Sequence, residues 1–303
     1  MKITIPELYC PFPGVMNPLA EVAAYETLKW RRRFRLLHMP NHQLSMLTAR
    51  CYPTATKERL LLADKFMHLL FAIHDEVTAT DELSAILHNR LVIRENTGIN
   101  AAFSDAWEQL QAVSSRSWQQ EFQLGMQKMF DTAQWASQNK TLGRMPGIAY
   151  FYQKRPYLGI AHPVIQLISV IENIELPAAT WREPALEDLT TFARNALCCA
   201  SDLFSLCREV EEENAHNIVQ VIRRDDHLSV EGAVNQTTQL HNNDMNHFVR
   251  ISQNHPLFAQ HEGSLKQYAV SLAAVLRGHI DWSTGDTERY RFTYAGNFKV
   301  LEL

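Results

Sequence analysis

Ser201-Asp202-Leu203-Phe204-Ser205-Leu206-Cys207-Arg208-Glu209 is the stretch on which the fold turns, because it sits inside a segment that reads as one long helix. That segment opens near Pro184, where proline suits a first turn, and Glu183, Glu187 and Asp188 favour the positive helix end. No breaker follows for roughly thirty residues. At about 3.6 residues per turn, Ser201, Ser205 and Glu209 share one face, so two hydroxyls and a carboxylate line up as oxygen donors. Such a set suits a hard cation, since Mg²⁺ takes oxygen ligands, keeps several waters and is held by few carboxylates together with substrate phosphates. Taken alone the spacing also fits a solvated helix face, and three other segments decide between the two.

Helical periodicity continues on both sides, at about 18–37, 57–78, 82–95, 101–114, 117–138, 147–157, 184–213, 215–225, 229–254 and 264–282. No convincing alternating strand appears. The gaps are short, no repeat of fixed period is present and no Gly/Ser-rich linker divides the chain, so residues 1–303 read as one all-α domain. Pro6, Pro11 and Pro13 keep residues 1–17 out of helix and predict an extended segment across the body.

A chain of 303 residues with 46% hydrophobic content can bury a large core. A net charge of −4 supplies no global attraction to nucleic acid or anionic membrane, so an anionic ligand would have to be bound locally. Charges interrupt every apolar run well before about 18 residues, and the opening Met1-Lys2-Ile3-Thr4-Ile5-Pro6 lacks the apolar stretch of a secretory signal, so the cytoplasm is the expected location. Cys10, Cys51, Cys198, Cys199 and Cys207 show no metal spacing and read as reduced packing residues. The run Arg31-Arg32-Arg33 reads as a surface patch, and His216, His241 and His247 show no ligand spacing.

The second segment is Phe71-Ala72-Ile73-His74-Asp75-Glu76, where Met67, Phe71 and Asp75 recur every four residues and an acid terminates an apolar stripe. A carboxylate in an apolar wall requires a partner, and a metal would serve. The third is Tyr152-Gln153-Lys154-Arg155-Pro156-Tyr157-Leu158-Gly159. Here Pro156 disfavours α geometry at Arg155 and Gly159 can take positive φ, which predicts a helix broken in its middle beside a guanidinium. The fourth is Trp282 followed by Arg289-Tyr290, a guanidinium and a phenol able to donate jointly to phosphate oxygens.

Together these residues resemble the class I terpene synthases, specifically the bacterial-type cyclases made of a single α domain. The resemblance spans Asp75 to Arg289. In that family an Asp-rich motif ends one helix, a triad of form N-D-x-x-S-x-x-x-E lies on another, a diphosphate-sensing arginine precedes a glycine at a helix break, and an Arg-Tyr pair comes near the C-terminus. Asp75-Glu76, Ser201 to Glu209, Arg155 with Gly159, and Arg289-Tyr290 look like these in the same order. Two departures stand out: Ala79 where the Asp-rich motif has a further acid, and Ser201 where the triad begins with Asn or Asp. Leu158 also replaces a polar residue often found beside the glycine.

The resemblance implies an α-helical bundle around an apolar cavity. It implies metal ligation by Asp75, Glu76, Ser201, Ser205 and Glu209, and diphosphate binding by Arg155, Arg208, Arg289 and Tyr290. Arg155, Gly159, Arg289 and Tyr290 are the implied catalytic residues, and Phe66, Phe71, Phe204 and Trp282 are candidates for the cavity wall. The implied cofactor is Mg²⁺, three ions with substrate bound, and the implied reaction is ionisation and cyclisation of a prenyl diphosphate, C15 before C10 or C20. Neither nucleic acid nor stable membrane insertion is expected, and a homodimer is left open. Two other readings remain: a prenyl-diphosphate-binding protein without turnover, and a prenyltransferase, whose second acidic motif would have to be Arg223-Arg224-Asp225-Asp226.

Overall fold

A computed structural model describes the chain except residues 1, 77–79, 260–262, 291, 296–297 and 303, and without the side chains of 2–3, 76, 259, 292–295 and 298–302. The helices are α1 (Ala20–Arg33), α2 (Leu44–Cys51), α3 (Lys57–Glu76), α4 (Asp81–Leu87), α5 (Ile99–Ala112), α6 (Arg116–Thr141) and α7 (Ile148–Lys154). They continue with α8 (Ala161–Ile171), α9 (Pro184–Glu211), α10 (Ile218–Asp225), α11 (Val230–Asn254), α12 (Pro256–Ala259) and α13 (Ser264–Asp281). The all-α architecture is as expected, and α9 begins at Pro184 with Glu187 in its first turn. Among the described residues no helix is long and apolar enough to cross a membrane.

Three helices escaped the sequence reading: α2, α8 and the four-residue α12. α8 was lost because Pro163 looks like a breaker, yet it falls in the first turn, where the missing N–H costs nothing. α2 is short and carries two polar residues on its buried side, Ser45 and Thr48, which both donate to the buried carboxylate of Asp64, at 2.7 and 2.9 Å. Residues 88–95 are not helical, α4 ending at Leu87. Arg31 is buried rather than part of a surface patch, donating at 3.1 Å to the carbonyl of Leu36 just past the end of α1.

Three short strands are an addition to the expectation: β1 (Lys2–Ile5), β2 (Phe292–Ala295) and β3 (Phe298–Glu302) form an antiparallel sheet in the order β1-β3-β2. Its register pairs Lys2 with Glu302 and Ile5 with Lys299, then Phe292 with Leu301 and Ala295 with Phe298. Strands this short carry little periodic signal, and β1 finds its partner β3 almost the whole described chain away. Beyond β1 the segment does run extended over the body, Tyr9 N donating to Asn242 at 2.8 Å and the Asn17 amide to the carbonyls of Tyr52 and Ala55 at 3.1 and 2.9 Å.

Buried apolar side chains from Ile5 to Tyr290 form one continuous core. α9 packs along α11 and α13, and α3 against α1, α2, α5 and α8. α13 runs on into a π-helical turn, Trp282–Asp286, which aims the chain back toward α3. Arg50 on α2 holds that turn, donating from Nε and Nη2 to the Asp286 carboxylate at 2.5 and 3.1 Å and from Nη1 to Asp281 at 3.2 Å.

The α2–α13 approach is closest at Gly278, where an added Cβ would lie 2.8 Å from Arg50 Cβ and 3.0 Å from its carbonyl carbon. Alanine gains about 1 kcal/mol of helix propensity over glycine, but overpacking against a backbone costs about 1–3 kcal/mol. Gly278→Ala is therefore expected to lose about 1 kcal/mol net, measured as a lowered urea midpoint with unchanged slope.

Candidate active site

The helix break lies where the sequence placed it but is built differently. Arg155 keeps right-handed helical geometry (φ −52°, ψ −38°), and Arg155–Tyr157 close as a 3₁₀ turn after α7. The pre-proline restriction is a preference, and a side chain locked in place overrides it. The change of direction comes at Gly159, whose φ of +121° is open to glycine and strained for other residues. Leu158 is thereby turned so that its carbonyl accepts from Arg155 Nη1 at 2.7 Å.

Arg155 is the hub. Its buried guanidinium donates from Nε to both Asp202 oxygens at 3.0 Å and from Nη2 to Oδ1 at 2.5 Å. Asp202 also accepts from the backbone N–H of Ile218 at 2.8 Å, the first residue of α10. Asn217, the N-cap of α10, donates to the Asp202 carbonyl at 2.8 Å and to Glu209 Oε2 at 2.7 Å. Glu209 is thus tied to the same cluster, and burial, reinforced by the Asp202 charge, pushes its carboxyl up to about 7.

Across from α9, Asp75 near the end of α3 forms a two-pronged pair with Arg289: Nη1 and Nη2 each donate to one carboxylate oxygen at 2.7 Å. His74 Nδ1 lies 2.9 Å from Oδ1. Burial opposes the charge on Asp75, but the bonds from His74 and Arg289 outweigh it and hold the carboxyl well below the usual range. Arg289 stands over the Phe71 ring at 5.2 Å, and its Nη1 also lies 2.8 Å from His42 Nε2. His42 and Gln43 both have positive φ, 47° and 56°, and their carbonyls accept from Trp282 Nε1 at 3.0 and 3.2 Å.

All of this surrounds a cavity of about 680 Å³. Asp75, Arg155, Gly159, Ser201, Ser205, Arg208, Glu209, Arg289 and Tyr290 border it, so the expected site residues from α3, the helix break, α9 and the C-terminal turn do meet. Glu76 closes α3, and its side chain and Ala79 fall outside the described residues. Arg208 binds both oxygens of Glu212 at 3.0 and 3.1 Å. Of the aromatic candidates Phe71 borders the cavity, whereas Phe66, Phe204 and Trp282 do not and need correction. One residue along a helix turns a side chain by about 100°. Phe66 beside Met67 and Phe204 beside Ser205 therefore face the core, Phe66 edge-on to Phe103 and Phe122, while Trp282 packs behind Phe71 and Tyr290. Asp225 and Asp226 lie at the end of α10, bound to the backbone N–H of Ile148 and to Gln236, away from the cavity.

Residues 63–247, more than half of the chain, match the profile of "Terpene synthase family 2, C-terminal metal binding". The chain belongs to terpene synthase family 2. A (+)-T-muurolol synthase of Roseiflexus castenholzii, described as (2E,6E)-farnesyl diphosphate cyclizing, is 26% identical, the match covering 98% of this chain and 97% of the relative. In fold the protein is similar to linalool/nerolidol synthase of Streptomyces clavuligerus, with a TM-score of 0.82 at 22% identity over 92% of this chain and 100% of the other. It is likewise similar to 2-methylisoborneol synthase of Streptomyces coelicolor, solved with Mg²⁺ and 2-fluoroneryl diphosphate, with a TM-score of 0.83 at 18% identity over 95% and 98% of the two chains.

The metal that a terpene synthase of this family binds suits the α9 donors. Ser205 Oγ is buried without a hydrogen-bond partner, one turn from a Glu209 carboxyl that burial has made reluctant to ionise without a cation. Among the described residues no group of three His, Cys, Asp or Glu side chains is placed to hold a metal ion, and two of the three α9 donors are hydroxyls. Sequence reasoning missed Asp202 and Asn217. Asp202 is off the Ser201-Ser205-Glu209 face, and its signal was an acid in an otherwise apolar helix with Arg155 as the partner; Asn217, ahead of an apolar run, was readable as an N-cap.

Two outcomes follow for this terpene synthase fold. Arg155→Met strands the Asp202 carboxylate in the interior and should cost about 3–5 kcal/mol of stability, read by urea unfolding, so Arg155 supports folding as well as any ligand. In the metal-free protein Glu209 holds its proton more firmly than in the unfolded chain, where the value is 4.5. Its contribution is therefore full below that pH and declines as pH rises through about 7. Glu209→Gln removes the decline, gaining on the order of 1–3 kcal/mol over the parent at pH 8 and little at pH 4.5, by unfolding at both pH values.

Proposed function

We propose that this terpene synthase ionises an allylic prenyl diphosphate, farnesyl diphosphate first among the candidates, and cyclises the carbocation to a sesquiterpene with release of diphosphate. The observation that carries the reading is the mixed lining of the cavity. Charged and hydroxyl groups, Arg155, Arg208, Arg289, Asp75, Glu209, Ser201 and Ser205, border the same space as hydrocarbon side chains such as Met67, Phe71, Val164, Leu197 and Val275. A pocket of about 680 Å³ lies within the range used for small-molecule sites, and its two kinds of lining match a charged leaving group and a C15 tail.

Arg289 and Tyr290 would bind the diphosphate oxygens with Arg208 and with the one Nη2 hydrogen of Arg155 left over from its Asp202, Leu158 and Cys198 contacts. Asp75 aims Arg289 through its two-pronged bond, so the guanidinium is oriented before substrate arrives. Ser201, Ser205 and Glu209, with Asp75 and Glu76 on the facing helix, are the residues that would hold Mg²⁺, for which three ions are the expected complement. What the metal supplies when bound is neutralisation of the charge that builds on the departing diphosphate. Ser201 offers a hydroxyl where an amide or carboxylate oxygen would bind more firmly, so weak metal affinity at this position is part of the reading. The hydrocarbon wall excludes water from the carbocation, and the Phe71 ring offers it a π face. The five free cysteines, four of them buried, agree with a cytoplasmic location. Whether the protein is a homodimer is answered by light scattering on the same preparation.

The second reading is a prenyl-diphosphate-binding protein without turnover, favoured by the one fact that both Asp75 oxygens are held by Arg289. The assay separates the two. Incubation with C10, C15 and C20 prenyl diphosphates, with and without Mg²⁺, followed by gas chromatography of headspace and extract, is expected to give hydrocarbon or alcohol products from C15 with metal only. Glu209→Gln is expected to lower kcat by about 10²-fold or more. Thermal stabilisation by Mg²⁺ and diphosphate without any product identifies the binder.

A further inference from the structure

Four histidines border the cavity: His42, His74, His216 and His279. Three of them have a ring nitrogen committed to a polar neighbour, His42 to Arg289 at 2.8 Å, His74 to Asp75 at 2.9 Å and His216 to the Asn139 amide at 3.3 Å. His279 is different. It is 91% buried (9% exposed), its Nδ1 has no hydrogen-bond partner, and the rings beside it are those of Phe204 at 5.9 Å and Trp282 at 6.3 Å. An imidazole nitrogen left unpaired in the interior costs about 1–3 kcal/mol, and because Nδ1 is closed off while the residue borders the cavity, Nε2 is the nitrogen whose lone pair can face it.

The surroundings also fix its charge state. Burial, with smaller contributions from His241 and Arg155, lowers His279 to about 3, so the ring is neutral near pH 7 and keeps a basic lone pair. On α13 it follows Val275 by one turn, and both border the cavity, so the imidazole stands beside a hydrocarbon lining residue.

We infer that His279 is the base that ends the reaction, taking a proton from the cyclised carbocation. The inference rests on the cyclase reading above and deepens it, since nothing in that reading says where the last proton goes. In the step a C–H bond next to the cationic carbon breaks, its electron pair closes a C=C bond, and the proton moves to the imidazole lone pair. The carbocation is consumed and an olefin and an imidazolium result, so charge is conserved. A carbocation is a far stronger acid than any imidazolium, and even a ring with lowered basicity accepts the proton downhill. The same burial that keeps His279 neutral then drives the proton on to the released diphosphate or to water once the site opens.

The test uses His279→Gln, polar but not basic, and His279→Ala, each checked for folding by thermal unfolding, with C15 diphosphate and Mg²⁺. Diphosphate release and product profile are read separately, the first reporting ionisation and the second termination. The expected result is diphosphate release within a few fold of the parent, while the principal olefin's share falls about tenfold or more in favour of alcohols and other olefins. Added imidazole should restore the olefin in His279→Ala and not in His279→Gln. An unchanged product profile in either folded variant overturns the inference and leaves the cyclase reading intact, as does a profile changed in both variants that imidazole fails to restore in His279→Ala. Loss of diphosphate release in both folded variants also overturns it, by assigning His279 to ionisation. A parent that releases no diphosphate at all overturns both.

Discussion

The Arg155–Asp202 pair is the constraint from which the rest of the site is hung. One buried guanidinium joins the broken helix to α9, and the carboxylate it binds caps the start of α10 through Ile218 N. An ion pair in the interior contributes little net stability compared with hydrocarbon of the same volume, but it is intolerant of misplacement, because either partner alone is a stranded charge. Its value here is geometric. It sets the rotation of α9, and with that the direction in which Ser201, Ser205 and Glu209 face.

From that pair the electrostatics grade outward. Asp202 is fully countered, Glu209 has an amide hydrogen bond and the Arg208 guanidinium at 3.7 Å, and Ser205 Oγ has no partner. Facing them, Arg289 neutralises Asp75, its own Nε staying buried without a partner. The α9 side is therefore short of positive charge and the α3 side is balanced. A cation entering the cavity improves α9 at once, whereas using Asp75 as a ligand requires Arg289 to share or release it. The two acidic elements, alike in a sequence motif, differ in what binding would cost them.

Most of the helical framework could be read from the sequence because α9, α11 and α13 carry strong apolar periodicity and recognisable starts, such as Pro184 and Ser229. α8 and α2 could not, since Pro163 mimics a breaker and α2 hides Ser45 and Thr48 behind an Asp64 that lies on another helix. Asp75, Ser205 and Glu209 were readable as polar groups at helical spacing, Arg155 from the Pro156 and Gly159 break beside it, and Arg289 from its pairing with Tyr290. Their partners were not. Asn217 and His42 act through contacts set by tertiary placement, and the depth of Phe66, Phe204 and Trp282 is decided by helix rotation, which one sequence does not reveal.

The small sheet has a consequence for biosynthesis. β3 receives β1 from residues 2–5 and β2 from just after Tyr290, so its formation joins residues 2–5 to residues 299–302. Contacts of that separation are entropically late and unavailable on a ribosome until the final strands emerge. Arg289 likewise comes after α13, the last long helix, so a nascent chain that has folded every long helix still carries an acidic α3 end without its cationic counterpart. The pocket's own sequence order thus keeps it incomplete until Arg289 has been made.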